Sequence, residues 1–406
     1  MRIALFTNEY PPHVYGGAGV HVEYLSRELA HLEAGANDVD VFCFGDQNET
    51  RGNLRVRGIA APAEIPAQDP RHGRFLDALA RDLAMAGAAR SPDIVHCHTW
   101  YSHLAGCLAR PLTGARLVLT THSLEPHRPW KVEQLGTAYD ATTWIERTAY
   151  QNADGVIAVS ESMKADVQTL YGVPADRVRV IHNGIDPEEY RRRLDPDELR
   201  RLGVDPAIPI VLFVGRITRQ KGILHLVRAV RYLDPGVQVV LCAGAPDTPE
   251  IAAEMATLVE QVQAEAATGV VWLPEMLSKK EIITLYSHAA VFVCPSVYEP
   301  FGIINLEAMA CETPVVASAV GGIPEIVVPG ETGTLVPIET AGGGTVEPRD
   351  PDAFARDLAA AVNALMADPQ RRAEMGKAAR RRVVEHFSWR RIAEETMHFY
   401  RDLLDS

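Results

Sequence analysis

The chain has 406 residues, of which 47% are hydrophobic and 7% aromatic, and its formal net charge at pH 7 is −13. One hydrophobic core rarely serves more than about 250 to 300 residues, so the length predicts two domains. Both halves are acidic, which excludes a general nucleic-acid-binding protein, because such binding neutralises many phosphates with Lys and Arg. An anionic small substrate would need locally placed cations.

The six cysteines are scattered and form no C-x-x-C pair, which favours reduced, buried thiols in a cytosolic protein. No segment approaches the roughly 18 apolar residues of a membrane span. The chain opens directly into a strand-like segment and shows no signal-peptide pattern. We therefore expect a cytoplasmic protein.

Short aliphatic runs bounded by Gly, Pro, Asn or Asp alternate with longer segments of helical spacing. The predicted strands of the first half are Ile3 to Thr7, Val39 to Phe44, Ile94 to Thr99, Leu117 to Thr121, Gly155 to Ser160 and Val178 to His182. Those of the second half are Ile210 to Gly215, Val237 to Ala243, Val270 to Pro274, Val291 to Ser296, Pro314 to Ala319 and Gly333 to Pro337. This pattern predicts an α/β protein with two doubly wound, Rossmann-like domains of six strands each. Ligands of such domains bind at strand carboxyl ends, so we expect the site in the cleft between the domains.

Residues 184–206 are charged and contain three prolines, as a connection between domains would, so we place the boundary there. Two basic runs, Arg191 to Arg193 and Arg380 to Arg382, lie on probable helices. We interpret both runs as solvated helix faces, a commoner origin of such patterns than an anion site.

The first strand is followed by a loop that contains Gly16, Gly17 and Gly19, and a helix begins there. Small residues let the backbone approach a ligand, and free amides at a helix start suit a phosphate or sugar oxygen. The loop is not a dinucleotide fingerprint, because Val22 occupies the place of the third glycine. A glycine-rich turn needed only for close helix packing is the alternative.

Histidines mark the ends of the third and fourth predicted strands. Alternation places His96 and His98 on one face, but no third ligand follows at a recognisable spacing, so core histidines are favoured over a metal site. His122 lies at a strand terminus, and Arg128 and Lys131 follow it. This concentration of cations fits an anionic or sugar ligand as well as it fits a structural loop.

Arg216 and Lys221 follow the first strand of the second half, five residues apart in a loop that leads into a helix. Both could face a diphosphate and neutralise charge that grows on it; an exposed basic loop is the alternative. The spacing lacks the glycines of a P-loop, which disfavours an ordinary ATPase.

Glu299 and Glu307 flank the start of a later helix, eight residues apart, which is too far for an obvious general acid and base pair. Carboxylates are good partners for sugar hydroxyls. The free amides of Phe301, Gly302 and Ile303 at the helix start add donors for hydroxyl or phosphate oxygens.

In this order, the four motifs resemble the retaining nucleotide-sugar glycosyltransferases of the GT-B fold, specifically glycosyltransferase family 4. Glu299 to Glu307 resembles the E-x7-E signature of the family, and Gly215 to Gly222 resembles its G-R-x4-K-G motif. The resemblance covers essentially the whole chain. The segments Glu9 to Leu25 and Thr121 to Lys131 are similar to the short glycogen-synthase-like branch.

The resemblance implies a role for each motif. The implied catalytic residues are His122 near the reacting carbon, Arg216 and Lys221 on the diphosphate, and Glu299 on the donor glucose hydroxyls. The implied donor contacts are Gly16, Gly17, Phe301, Gly302 and Ile303, with Glu307 on the ribose. The resemblance also implies that a C-terminal helix crosses back to the first domain, which gives domains 1–185 with 388–406 and 186–387.

The resulting hypothesis is transfer of α-glucose from ADP-glucose to glucose 1-phosphate, which gives α-maltose 1-phosphate for α-glucan synthesis, with no metal or other cofactor. Arg128 and Lys131 would bind the acceptor phosphate, and the predicted cations, with His122 when protonated, would meet in the cleft. Tyr15 stands where the long glycogen synthases have Lys-Thr before the glycine pair, which disfavours simple polymer elongation. The alternatives are a glycogen synthase that uses ADP-glucose or UDP-glucose, and a sugar-nucleotide epimerase. No nucleic-acid or membrane partner is expected, and a homodimer is left open.

Overall fold

The computed structural model describes residues 1–60, 65–266, 268–342 and 345–406, and these divide into two units. The first unit comprises Met1–Gly184 with Trp389–Ser406, and the second comprises Ile185–Ser388. Each unit is built on its own mainly parallel sheet, with helices in the connections between strands.

The first unit contains the strands β1 (Arg2–Phe6), β2 (Asp38–Phe44), β3 (Asn48–Arg51), β4 (Leu54–Ile59), β5 (Ile94–His98), β6 (Arg116–Thr121), β7 (Gly155–Ala158) and β8 (Val178–Val180). Its helices are α1 (Gly17–His31), α2 (Gly73–Ala88), α3 (His103–Thr113), α4 (Val132–Leu135), α5 (Ala138–Asn152), α6 (Glu161–Tyr171) and α15 (Trp389–Asp405). The sheet order is β3-β4-β2-β1-β5-β6-β7-β8. Only β3 runs antiparallel among the strands described for this sheet. The carboxyl ends of β1, β5 and β6 therefore lie side by side.

The prediction of six strands was wrong for this unit, whose sheet has eight strands within the described residues. The two additional strands form the edge, where β3 is fully exposed and β4 alternates buried Leu54 and Val56 with partly or fully exposed arginines. An edge strand with polar side chains carries no apolar run, so its sequence resembles a loop.

The C-terminal helix α15 belongs to the first unit, as the resemblance implied. Its side chains Trp389 and Met397 share a core cluster with Tyr24 and Leu25 of α1. The rings of Tyr24 and Trp389 are stacked, with centroids 5.5 Å apart. The helix is thus packed onto α1, the helix that begins at the glycine loop.

The second unit contains the strands β9 (Ile210–Arg216), β10 (Gln238–Gly244), β11 (Gly269–Leu273), β12 (Ala289–Cys294), β13 (Val315–Ser318), β14 (Gly333–Val336), β15 (Thr340–Gly342) and β16 (Thr345–Pro348). Its helices are α7 (Pro196–Arg201), α8 (Ile223–Ala229), α9 (Pro249–Glu265), α10 (Lys279–His288), α11 (Ile303–Ala310), α12 (Ile323–Ile326), α13 (Pro351–Met366) and α14 (Pro369–His386).

The six predicted strands of this half form one parallel sheet, in the order β11-β10-β9-β12-β13-β14. The core joins the sheet to the helices that follow it, through side chains such as Val211, Phe213, Leu226, Val259 and Leu358. The loops after β9 and β12 leave neighbouring strands at the same edge. The two motifs of the second half, which begin at Arg216 and Glu299, therefore lie at this edge.

Candidate functional site

The glycine loop after β1 is held by Glu9, a residue without a predicted role. Its Oε2 atom accepts hydrogen bonds from the backbone N–H groups of Tyr15, at 2.8 Å, and Gly16, at 2.9 Å. Gly16 caps α1 without a side-chain hydrogen bond, and the first turn of the helix contains no acidic residue. A Cβ atom at Gly19 would lie 2.8 Å from the Cβ of Glu9, so this glycine is required for close approach. Glu9 therefore supplies the negative charge that the start of α1 lacks.

Four histidines lie together behind this loop. The ring centroids of His96 and His98 are 4.2 Å apart, as the predicted common face requires, and His98 Nδ1 lies 3.0 Å from His122 Nε2. His21 comes from α1, and its ring is 4.8 Å from the ring of His122. Helix α1, which begins at the glycine motif, thus contacts His122 through His21, a residue without a predicted role.

The histidines are neutral near pH 7. Burial lowers the pKa of His21 to about 4 and that of His122 well below its usual 6.5, and neighbouring histidines lower the His122 pKa further. His122 therefore does not meet the condition, protonation, under which it would add a positive charge to the site near pH 7. A buried imidazole beside other imidazoles has no counterion that would stabilise its charged form.

The cluster also offers a geometry that a metal ion could use. His21, His98 and His122 each present one ring nitrogen, and these three atoms lie within 4.8 Å of one another. Three histidines are the ligand number of some open zinc sites. Two of these side chains, however, already share a hydrogen bond, and the third donates to Asn183 at 2.6 Å. The expectation that no metal is required stays a prediction.

The predicted acceptor cations have partners within the first unit. Arg128 Nη1 lies 3.3 Å from both Glu125 Oε1 and Ser123 Oγ, and Lys131 Nζ lies 3.0 Å from Gln134 Oε1. The Glu125 side chain is 1% exposed, whereas that of Arg128 is 18% exposed. Glu125 is therefore fully buried, and Arg128 is mostly buried with part of its side chain exposed.

A second buried acidic side chain, Glu146, contacts the backbone of Glu125. Glu146 Oε2 accepts a hydrogen bond from the Glu125 backbone N–H at 2.9 Å and another from the Tyr171 hydroxyl. Burial, reinforced by the charge of Glu125, raises the pKa of Glu146 to about 8. The sequence offered no signal for this network because the two glutamates lie on different elements.

In the second unit, Lys221 and Glu299 form an ion pair. Lys221 Nζ is 2.7 Å from Glu299 Oε2, which also accepts a hydrogen bond from Ser296 Oγ at 3.0 Å. Burial lowers the pKa of Lys221, but the charge and the hydrogen bond of Glu299, together with the nearby Cys294, outweigh that effect, so the pKa is raised. Lys221 is thus a cation at neutral pH. The adjacent Gly222 has a φ of 61°, and a Cβ there would lie 2.0 Å from the Pro295 carbonyl oxygen, so glycine is required.

Arg216, at the end of β9, forms an ion pair with Asp247. The Arg216 side chain is 45% exposed and that of Asp247 is 11% exposed. The Asp247 backbone N–H donates to the Ile217 carbonyl oxygen at 3.1 Å, which ties the loop after β10 to the loop after β9. Each predicted diphosphate-binding cation therefore has a carboxylate partner, and neither ion pair was predicted from the sequence.

The remaining predicted donor contacts surround the start of α11. Gly302 caps the helix with a φ of 107°, Phe301 before it is buried, and Ile303 begins the helix. Glu307 Oε2 accepts a hydrogen bond from the Tyr286 hydroxyl at 3.0 Å, and burial raises the pKa of Glu307 to about 7. Glu299 and Glu307 therefore occupy different surroundings, one beside a lysine and the other beside a tyrosine.

The interpretation of Arg380 to Arg382 as a solvated face was wrong for two of its residues. Arg380 donates to the carbonyl oxygens of Tyr190, Ala310 and Pro187 at 3.2, 2.5 and 3.1 Å. Arg382 donates to two carbonyl oxygens at the end of α12. A guanidinium has several donors, and these two use them to hold the carboxyl ends of short helices.

Among the described residues, no helix is both long and apolar enough to cross a membrane.

Comparison with known proteins assigns the chain to a family. Residues 15–189 match the model of Glycosyltransferase Family 4, and residues 196–382 match that of Glycosyl transferases group 1. The chain is 51% identical to the alpha-maltose-1-phosphate synthase of Mycolicibacterium smegmatis over 409 residues, which cover 99% of each chain. It is 31% identical to the glycogen synthase of Mycobacterium tuberculosis over 434 residues, which cover 98% of this chain and 94% of the relative.

Among solved structures, sucrose-phosphate synthase from Thermosynechococcus elongatus matches with a TM-score of 0.79 and 28% identity, over 100% of this chain and 99% of that one. The two Rossmann-like units are those of the GT-B fold. The chain belongs to glycosyltransferase family 4.

Proposed function

We propose that this protein is an α-maltose-1-phosphate synthase, which transfers α-glucose from ADP-glucose to the 4-hydroxyl of glucose 1-phosphate with retention of configuration. The observation that carries the proposal is the 51% identity to the Mycolicibacterium smegmatis synthase across 99% of both chains. The glycogen synthase of the same family is more distant, at 31%.

The ion pairs of the second unit support a nucleotide-sugar donor. As the anomeric bond breaks, negative charge accumulates on the leaving diphosphate, and Arg216 and Lys221 would stabilise it. Their carboxylate partners are positioned 31 and 78 residues away in sequence, at neighbouring strand ends. A cation held in place before the reaction needs little reorganisation when the charge appears.

The basic segment of the first unit supports an acceptor that carries a phosphate. Arg128 is partly exposed and paired with Glu125, and Lys131 follows three residues later. A phosphate accepts charge-assisted hydrogen bonds from such cations, whereas a neutral glucan end would not require them. Arg128 and Lys131 would therefore select glucose 1-phosphate.

Retention follows if the acceptor attacks the face that the leaving group occupies. The departing phosphate oxygen then takes the proton of the acceptor hydroxyl, so the protein need not supply a nucleophile. Glu299 would hold donor hydroxyls while Lys221 keeps its charge balanced. No metal is needed in this scheme.

The test is a product assay with the purified protein, carried out with EDTA present. ADP-glucose or UDP-glucose is incubated with and without glucose 1-phosphate, and the products are identified by ³¹P and ¹³C NMR. We expect α-maltose 1-phosphate from ADP-glucose and glucose 1-phosphate together. Label transferred to glycogen instead would favour a glycogen synthase, and conversion of a UDP-sugar without any acceptor would favour an epimerase.

A further inference from the structure

The buried histidine cluster of the first unit restricts where His122 carries its proton. His98 is 0% exposed, its Nδ1 atom lies 3.0 Å from His122 Nε2, and its Nε2 atom has no hydrogen-bond partner. A neutral imidazole has one N–H group and one bare nitrogen, so the two rings share one hydrogen bond in one of two directions.

The two directions leave different groups unpaired. If His122 donated, the proton of His98 would be on Nε2, as a buried N–H group without an acceptor. If His98 donates from Nδ1, its Nε2 is a bare nitrogen, and no donor is left unpaired. Orphaned buried N–H groups are rare and costly, and under-satisfied acceptors are better tolerated.

We propose that His98 is a positioning residue that donates from Nδ1 to His122 Nε2 and thereby fixes the proton of His122 on Nδ1. His122, which is partly exposed, then offers an N–H donor at its remaining nitrogen. This inference rests on the proposed function in one respect only, that the recipient of the His122 N–H is an oxygen of the donor sugar.

The surroundings hold the donating ring in place. The ring of His96 packs against that of His98. Each nitrogen of His96 lies 2.6 Å from a hydroxyl oxygen, Nδ1 from that of Tyr400 and Nε2 from that of Thr120. His21 donates from Nδ1 to Asn183 Oδ1 at 2.6 Å, which leaves its Nε2 bare as well. The cluster therefore has two bare nitrogens and one hydrogen bond directed towards His122.

The experiment combines tautomer measurement with kinetics. Protein labelled with ¹⁵N in its histidines is studied by long-range ¹H–¹⁵N correlation spectra at pH 7.5, and His122 is assigned by the signals that disappear in His122→Asn. We expect the pattern of a neutral ring with the proton on Nδ1. An Nε2–H pattern, an imidazolium pattern, or signals that change on dialysis against EDTA would each overturn the proposal.

Two variants of His98 separate its hydrogen bond from its bulk. The Nδ2–H of Asn can stand in for the imidazole Nδ1–H, so His98→Asn should keep the Nδ1–H tautomer of His122 and most of the activity. His98→Leu removes the donor, so His122 should move to the Nε2–H form and kcat should fall about threefold to tenfold. His103→Leu is the matched control, because His103 is equally buried but its nitrogens have no hydrogen-bond partner.

The tautomer pattern needs no substrate, so it stands even if glucose 1-phosphate is not the acceptor. An unchanged His122 tautomer in a folded His98→Leu protein would show that His98 is only a core residue.

Discussion

The two units hold their candidate site residues by opposite means. In the first unit, His122 belongs to a network of neutral rings whose pKa values are lowered by burial. In the second unit, Lys221 and Arg216 are charged and each is paired with a carboxylate. One site region thus depends on hydrogen-bond direction and the other on charge balance.

The difference has a physical consequence for each region. A neutral buried ring needs partners for its N–H group but no counterion, whereas a buried cation without a counterion costs several kcal/mol. A substitution among the histidines should therefore change geometry and tautomer. A substitution among the ion pairs should change the charge available to a leaving diphosphate and leave the partner carboxylate uncompensated.

The largest effect is expected for Lys221→Ala. Loss of a group that stabilises charge in the transition state typically costs about 2.7 to 4 kcal/mol, so kcat should fall about 10²- to 10³-fold. The measurement is steady-state kinetics with ADP-glucose and glucose 1-phosphate, together with circular dichroism. Unchanged turnover in the folded variant would remove Lys221 from the mechanism.

Two further variants isolate the cause. Lys280→Ala removes an exposed lysine that pairs with Glu198 at 3.0 Å, and it should leave kcat unchanged. The double variant Lys221→Ala/Glu299→Gln should recover the stability lost by the single variant, because the unpaired carboxylate is gone. Its activity should stay low.

The Lys221 pair also shows how far the sequence could lead. Apolar runs and glycines predicted the ends of β9 and β12 to within about two residues, so both Lys221 and Glu299 could be placed at the carboxyl edge of the sheet. The ion pair itself joins residues 78 positions apart, and nothing in the spacing encodes that contact. The same holds for Asp247 and Arg380, whose partners lie 31 or more residues away in sequence.

The polar edge of the first sheet was missed for a different reason. Residues 48–51 contain Asn, Glu, Thr and Arg, which are typical of loops, and their strand exists because β4 pairs with them. Backbone pairing at an edge does not require buried side chains. The prediction of core positions for His96 and His98 is confirmed, since both are fully buried, but the role of His21 depends on the approach of α1 to β6.

The next largest effect concerns the acceptor and would show whether the first unit also uses charge. Arg128→Gln removes a charge-assisted contact worth about 1.5 to 3 kcal/mol, so the KM for glucose 1-phosphate should rise about 10- to 100-fold. The KM for ADP-glucose should change much less. Equal changes in both would contradict the acceptor assignment.

The matched control for this variant is Arg147→Gln, which makes the same substitution at an exposed position on α5. It should change neither constant. Thermal unfolding of Arg128→Gln should be followed as well, because the substitution leaves the buried Glu125 without its cation.

The remaining predictions concern the pH dependence of stability, where two buried groups of the first unit should act in opposite directions. The folded-state pKa of His103 is lowered to about 3, so the unfolded chain binds more protons below its usual pKa of 6.5. Its contribution to stability is therefore lost as pH falls from 6.5 towards 3. Glu146 has a raised pKa of about 8, so the folded chain binds more protons and stability falls as pH rises from 4.5 to 8.

Variants at these positions should therefore change the pH profile of the unfolding free energy with opposite signs. His103→Leu should remove a slope of about 1.4 kcal/mol per pH unit between pH 6 and 4, so that the variant resists acid better than the parent protein. Glu146→Gln should remove the slope of opposite sign between pH 5 and 7.5. Urea unfolding at several pH values, followed by tryptophan fluorescence, measures both; parallel profiles for the parent and the two variants would mean that neither group is buried as the structure places it.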